Sequence, residues 1–277
     1  MTVCIAAVCN NIAGGGAKIV LCTDGKASGP VGSKEYAQKS YLLTRRWHCL
    51  TSGGDNDLNA LLPRLRARLR ACSPIDETTI QTVLRLALGD LKLERCNEYT
   101  RGHYGMAYAD FLRDGKGVFP EDQFRADVFA ISNIVPNVEC IVAGFTDDGF
   151  PMLLLVYGNG SVHIKEEFVV AGEGGYLAEA ALLQRQHNDV ASLERTLYCV
   201  YEAKRHAQRV ASVNDVTNMS VLSVEGFDVV RAAGREYLES IFEKCAPQPI
   251  PGSIVIEHKF MRRIESSSEI VMGPKAG

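Results

Sequence analysis

Three short runs in this chain, "VCIAAVC" at 3–9, "KIVLC" at 18–22 and "MLLLV" at 152–156, are apolar almost throughout. A strand with one wet face alternates polar and apolar residues, so strands of this kind must be covered on both faces. Gly/Asn/Asp turn signals separate them: "NNIAGGGA" makes a hairpin of the first two, and "DDG" and "GNG" divide 140–164 into a three-strand meander. "KSYLLT" and "WHCLTSGG" read as two further strands, and "MSVLSVEG" as a later one.

The period changes to helical at 55–70, where Leu58, Leu61, Leu62, Leu65 and Leu69 share a face and Asp55 or Asp57 is the expected N-cap. A second helix is expected over 73–99, capped by Ser73 with Pro74 in its first position. Two more follow the "GEGGY" turn, over "YLAEAALLQRQ" and "DVASLERTLYCVYEAKRHAQRV", and a short one over "EYLESIFEKC". The order is strands, two helices, strands, two helices, strand. Segregated runs predict an α+β fold, a four-layer αββα sandwich of two antiparallel sheets between helix pairs. One domain is expected over 1–245, with an irregular insert at 99–137 rich in Gly and aromatics. A tail follows at 246–277, in which only "SIVIEHKF" reads as a strand.

Composition removes several function classes. Net charge is −3 and basic residues are dispersed, apart from "RLRARLR" at 64–70, which reads as a solvated helix face; no nucleic-acid partner is expected. No apolar run approaches the roughly 20 residues of a membrane span, and the N-terminus lacks a signal-peptide pattern. Nine scattered cysteines without a CxxC pair fit a reducing compartment, so a cytoplasmic location is expected. The six histidines show no metal-ligand spacing, and neither metal nor cofactor is expected.

The chemistry-bearing residue is Thr2, which leads directly into the first strand. If Met1 is removed, as a small second residue permits, Thr2 gains a free α-amine whose pKa is about 7.7–8.0. A hydroxyl needs a nearby base to act as a nucleophile, and here one residue supplies both groups. Such chemistry tolerates no preceding tail, which matches the abrupt start.

At these residues the chain resembles bacterial proteasome-β-like proteins of the N-terminal-nucleophile hydrolase superfamily, over roughly 2–230. Thr2 opens a strand as in the active β-type subunits. "VLCTDGKAS" resembles the family's second strand with its Asp-x-Arg/Lys-Ala-Thr/Ser ending, and "AQKSYLLTRRWHCLTSGG" its lysine strand followed by a strand ending in glycine. "CIVAGFTDDGFPMLLLVYGNGSV" and "VAGEGGYLAEAAL" resemble its central meander and the glycine turn before its third helix.

The resemblance implies Thr2 as nucleophile, Lys39 assisting its deprotonation, Asp24 orienting Lys39, and the Gly53 N–H as oxyanion donor. It also implies a first-subsite pocket lined by Ala27, Ala37, Thr51 and Asp55, open at the two alanines, with Asp55 favouring a basic side chain. The substrate class implied is polypeptide, and the partner other copies of the chain, in a ring or stacked homo-oligomer that confines the active sites. The insert and tail are expected to pack on neighbouring subunits.

Two positions depart from the pattern. The family's Gly-Ser-Gly turn is Gly172-Glu173-Gly174 here, and its later Asp-x-x-Ser is Asp215-Val216-Thr217-Asn218. Glu173 could accept a hydrogen bond from the Thr2 amine, at the cost of making it a poorer base. Taken singly these features have structural readings: Asp24-Gly25 is ordinary turn chemistry and Gly53-Gly54 could cradle a phosphate. Two other functions share the fold, a non-catalytic scaffold subunit and an amidase acting on small amides.

Overall fold

The computed structural model describes residues 2–12, 16–29, 32–34 and 37–245, with the backbone alone for 27–29 and 32–34. Residues Met1–Lys244 form one compact unit. Among the described residues the protein is α+β, with two five-stranded antiparallel sheets and seven helices.

The first sheet runs in the order β10 (Phe168–Ala171), β1 (Cys4–Cys9), β2 (Lys18–Thr23), β11 (Asn218–Leu222) and β12 (Phe227–Val229). The second follows β5 (Ser40–Thr44), β6 (Trp47–Thr51), β7 (Glu139–Phe145), β8 (Pro151–Tyr157) and β9 (Val162–Lys165). A short hairpin, β3 (Ala27–Gly29) with β4 (Gly32–Lys34), lies between β2 and β5 in the chain. The helices are α1 (Asp55–Ala71), α2 (Glu77–Tyr104), α3 (Tyr108–Val118), α4 (Glu121–Ser132), α5 (Gly175–Gln184), α6 (Leu193–Ala207) and α7 (Ala232–Cys245).

The unbroken apolar strands are explained by where successive side chains go. In β1, Ile5 and Ala7 pack with Ala178 and Leu182 of α5 and with Val200 and Ala203 of α6. The intervening Cys4 and Ala6 pack with Leu50, Ile141 and Leu153 of the second sheet. Side chains alternate across a strand, so both faces of β1 are buried, and all four residues have no exposure. The second sheet repeats this: Cys49, Val142 and Leu154 meet Leu61 and Leu65 of α1 and Leu84 and Leu88 of α2. No described helix is long and apolar enough to cross a membrane. Cys4, Cys9, Cys22, Cys49, Cys72, Cys96, Cys140 and Cys199 are free thiols.

Several expectations are corrected. Helix α1 starts at Asp55 after Gly54, and Asp57 does not cap it but bonds Arg95 Nε at 2.6 Å and accepts the Asn137 N–H at 2.6 Å. Helix α2 starts at Glu77, because Asp76 rather than Ser73 accepts the Thr79 N–H, at 2.7 Å. The 99–137 insert is not irregular: α2 continues to Tyr104, and α3 and α4 follow. Gly115 and Gly117 lie inside α3, where aromatic packing outweighs their low helix propensity, while Pro120 separates α3 from α4. The Phe111 ring lies 5.1, 5.9 and 5.3 Å from the rings of Tyr104, Phe119 and Phe124. Strand β12 is short and exposed and gave no apolar signal. The "SIVIEHKF" strand and the tail lie outside the described residues.

Candidate active site

Backbone pairing assembles the site. Beyond β2, the Asp24 N–H donates to Val3 O at 3.3 Å, so the β1–β2 ladder runs one step further and sets Asp24 beside the start of the chain. The next turn is fixed by Ala37 N–H to Gly25 O at 2.6 Å, and Thr51 N–H to Lys39 O at 2.9 Å. Segment 37–39 is thus held between the ends of β2 and β6, which carries Lys39 to Asp24.

Three side chains meet there. Lys39 Nζ donates to Asp24 Oδ1 at 2.7 Å and also to Thr2 Oγ1, and Thr2 Oγ1 donates to the same Asp24 oxygen. The Val3 N–H adds a bond to Oδ1 and the Lys26 N–H one to Oδ2, each at 3.0 Å. Asp24 has no exposure, Thr2 3% and Lys39 7%. A buried carboxylate is tolerated only when paired and hydrogen-bonded, and Asp24 has one cation and three further donors. Two residues on, burial pushes the Cys4 thiol well above its ordinary range despite the opposing pull of Lys39. It therefore stays neutral and does not compete as a nucleophile.

The glycine turn holds Thr2 from the other side. Gly174 N–H donates to Thr2 O at 3.2 Å. Gly172, at φ +87°, is so close that a Cβ there would overlap the Thr2 carbonyl and lie 2.7 Å from Ser52 Oγ. Ser52 Oγ in turn donates to Glu139 Oε2 at 3.1 Å. Thr51 N–H points to Lys39, while Ser52 and Gly54 N–H point to Glu139 O and Asn137 O, at 2.8 Å each. Gly53 lies at a bend, and among the described residues its N–H has no acceptor.

The side chains of the other expected site residues make no hydrogen bond to the Thr2, Asp24 or Lys39 side chains among the described residues. Glu173 and Asp215 are exposed, and neither carboxylate makes a hydrogen bond or ion pair among the described residues. A cavity of about 320 Å³ beside Lys39 has Ala37, Gln38, Ser40, Thr23 and Asn218 in its wall, but not Thr51 or Asp55. Thr51 is buried with its hydroxyl on Lys39 O at 3.5 Å, Asp55 is exposed, and Ala27 is described by backbone only.

Sequence reasoning passed over two residues that brace the site. Lys204 of α6 has no exposure, and its Nζ donates to Asn214 O at 2.9 Å; the Asn214 side chain accepts the Gly25 N–H at 3.0 Å. The chain Lys204–Asn214–Gly25 anchors the residue next to Asp24. Burial brings the Lys204 pKa down to about 8, against the pull of Cys22 and Asp24. The signal was present: Val200, Ala203, Lys204 and Ala207 occupy i, i+3, i+4 and i+7, so a lysine sits on the buried stripe of an amphipathic helix.

No group of three or more metal-binding side chains occurs among the described residues. No protein-family model matches the chain, and no curated protein is found to match it.

Proposed function

We propose that this chain is an N-terminal threonine hydrolase of amide bonds, a four-layer αββα sandwich whose nucleophile is Thr2 after removal of Met1. The carrying observation is that Lys39 Nζ donates to both Thr2 Oγ1 and Asp24 Oδ1 in a buried site at the second residue. In this reading the α-amine of Thr2 takes the hydroxyl proton as Oγ bonds to the substrate carbonyl carbon. Lys39 stabilises the developing negative charge on Oγ, and Gly53 N–H donates to the oxyanion, a contact worth about 3 kcal/mol. Collapse breaks the C–N bond, the departing amine takes the proton from the α-amine, and an ester remains on Thr2. Water then attacks the ester, passing a proton back through the α-amine to Oγ, and the acid leaves.

The reading extends to assembly and location. We propose polypeptide as substrate and a ring or stacked homo-oligomer as the working form, with α3 and α4 on the interface. The exposed Leu112, Val118, Phe129 and Val135 of that insert support this. Eight free thiols among the described residues support a reducing, cytoplasmic setting. Thr2→Ala is the direct test: hydrolysis of fluorogenic peptides is abolished while the far-UV spectrum is kept. Undiminished hydrolysis by this variant overturns the proposal.

A further inference from the structure

A second cavity, of about 220 Å³, adjoins the one at Lys39 and shares Thr23, Ser40 and Asn218 with it as wall residues. Register shows which side chains face it. Leu21 packs toward the second sheet, so Thr23, two residues on, shares its face. Asn218 pairs with Thr23 and Ser220 with Leu21, and they share it too. Ser40 enters from the second sheet, paired with the inward Leu50. Arg235 of α7 completes the wall.

The wall is mixed: Thr23, Ser40, Asn218, Ser220 and Arg235 stand beside the apolar Leu21, Leu50, Phe227 and Val229. Thr23 and Ser220 are 2% and 6% exposed, yet neither hydroxyl has a hydrogen-bond partner among the described residues. The side chains of Ser40 and Asn218 likewise make no bond there. Ser40 is half-buried and Asn218 exposed, so these groups are open to an incoming molecule. Arg235 donates to Val230 O at 2.8 Å but forms no ion pair among the described residues, and no acidic side chain lines either cavity. Convergent hydroxyl and amide donors with one cation and no carboxylate make an anion site. Its volume falls short of the roughly 300–1,000 Å³ of a whole-ligand pocket, so it holds one group of a larger molecule.

We propose that this cavity is a carboxylate subsite. The substrate carries its scissile amide to Thr2 and Lys39 and a terminal carboxylate to Arg235, Ser220 and Ser40. The inference rests on the hydrolase reading and narrows its substrate class to amides bearing a free carboxylate, such as peptides at their C-terminal end.

The test is a binding measurement on the full chain. A mixed pool of N-acetyl tripeptides with free C-terminal carboxylates is equilibrated with the protein beside the same pool amidated. Bound peptides are counted by mass spectrometry after ultrafiltration. Acids are expected to be retained about tenfold over amides, the scale of one charge-assisted hydrogen bond, with the preference lost in Arg235→Gln and reduced in Ser220→Ala. Equal retention of the two pools, including retention of neither, overturns the subsite, as does a preference that survives both substitutions. Because the readout is binding, an acid preference in a chain that retains full turnover as Thr2→Ala would remove the hydrolase mechanism and leave the subsite standing.

Discussion

Lys39 and Thr2 lie 37 positions apart in the chain, yet Lys39 Nζ donates to Thr2 Oγ1 while it also binds Asp24. One buried cation thus serves a hydroxyl and a carboxylate at once. Lys39→Ala is expected to lower turnover at least about a hundredfold, within the range for loss of a proton-transfer group. Asp24 would then be an unpaired buried charge, and breaking such a pair costs about 3–5 kcal/mol of stability. Adding Asp24→Asn should restore part of that stability and none of the activity. Urea midpoints and peptide turnover on both chains check this, and a Lys39→Ala enzyme with wild-type turnover contradicts it.

Gly172 controls the position of Thr2. Gly172→Ala places a methyl group against the Thr2 carbonyl and Ser52 Oγ at a backbone φ of +87° that L side chains rarely adopt. The expected result is a loss of more than about 1 kcal/mol of stability together with a larger fall in kcat. Turnover that falls only as far as the folded fraction does would mean that the turn does not set Thr2.

Much of this site was legible in the sequence. Thr2 stood out as a hydroxyl residue leading straight into a strand, Asp24 and Lys39 came from the resemblance, and the structure brings the three side chains together. Glu173 and Asp215 are exposed, and an exposed turn residue leaves no periodic signal of which way its side chain points. Helices α3 and α4 were hidden by glycines whose low helix propensity is outweighed by ring packing around Phe111. Lys204 went unnoticed because a lysine in a charged helix reads as solvated, although its spacing placed it on the buried stripe.

His48 of β6 makes stability depend on acid. It is buried, neither ring nitrogen has a partner among the described residues, it stacks on Phe227 at 4.1 Å, and burial holds its pKa down to about 4. Above about pH 6.5 the imidazole is neutral in folded and unfolded chains alike. As pH falls toward 4 only the unfolded chain takes the proton, so stability drops, by about 2 kcal/mol between pH 7 and pH 5. His48→Leu should lose that much less over the same interval in urea titrations. An unchanged pH dependence in the variant contradicts the account. His187 and His206 are shifted downward by burial too and contribute in the same direction in both chains.

The insert offers a test of assembly. Leu112, Val118 and Phe129 are 43, 65 and 71% exposed on α3 and α4. Light scattering at micromolar concentration is expected to give a mass several times the 30.3 kDa of one chain. Replacing these three residues by Glu, Lys and Glu should shift it toward monomer. A clean monomer for the unaltered chain contradicts the proposed oligomer.

The central claim is that Thr2, with its own α-amine freed, is the nucleophile beside Lys39 and Asp24. Peptide epoxyketones react with a hydroxyl and an amine on one residue, so intact-mass and fragment analysis of the labelled chain tests it most directly. The account predicts a chain lacking Met1 that carries one adduct, mapped to Thr2 and absent from Thr2→Ala and Lys39→Ala. A chain that hydrolyses peptides with Met1 still attached, or an adduct that forms equally in Thr2→Ala, would contradict it.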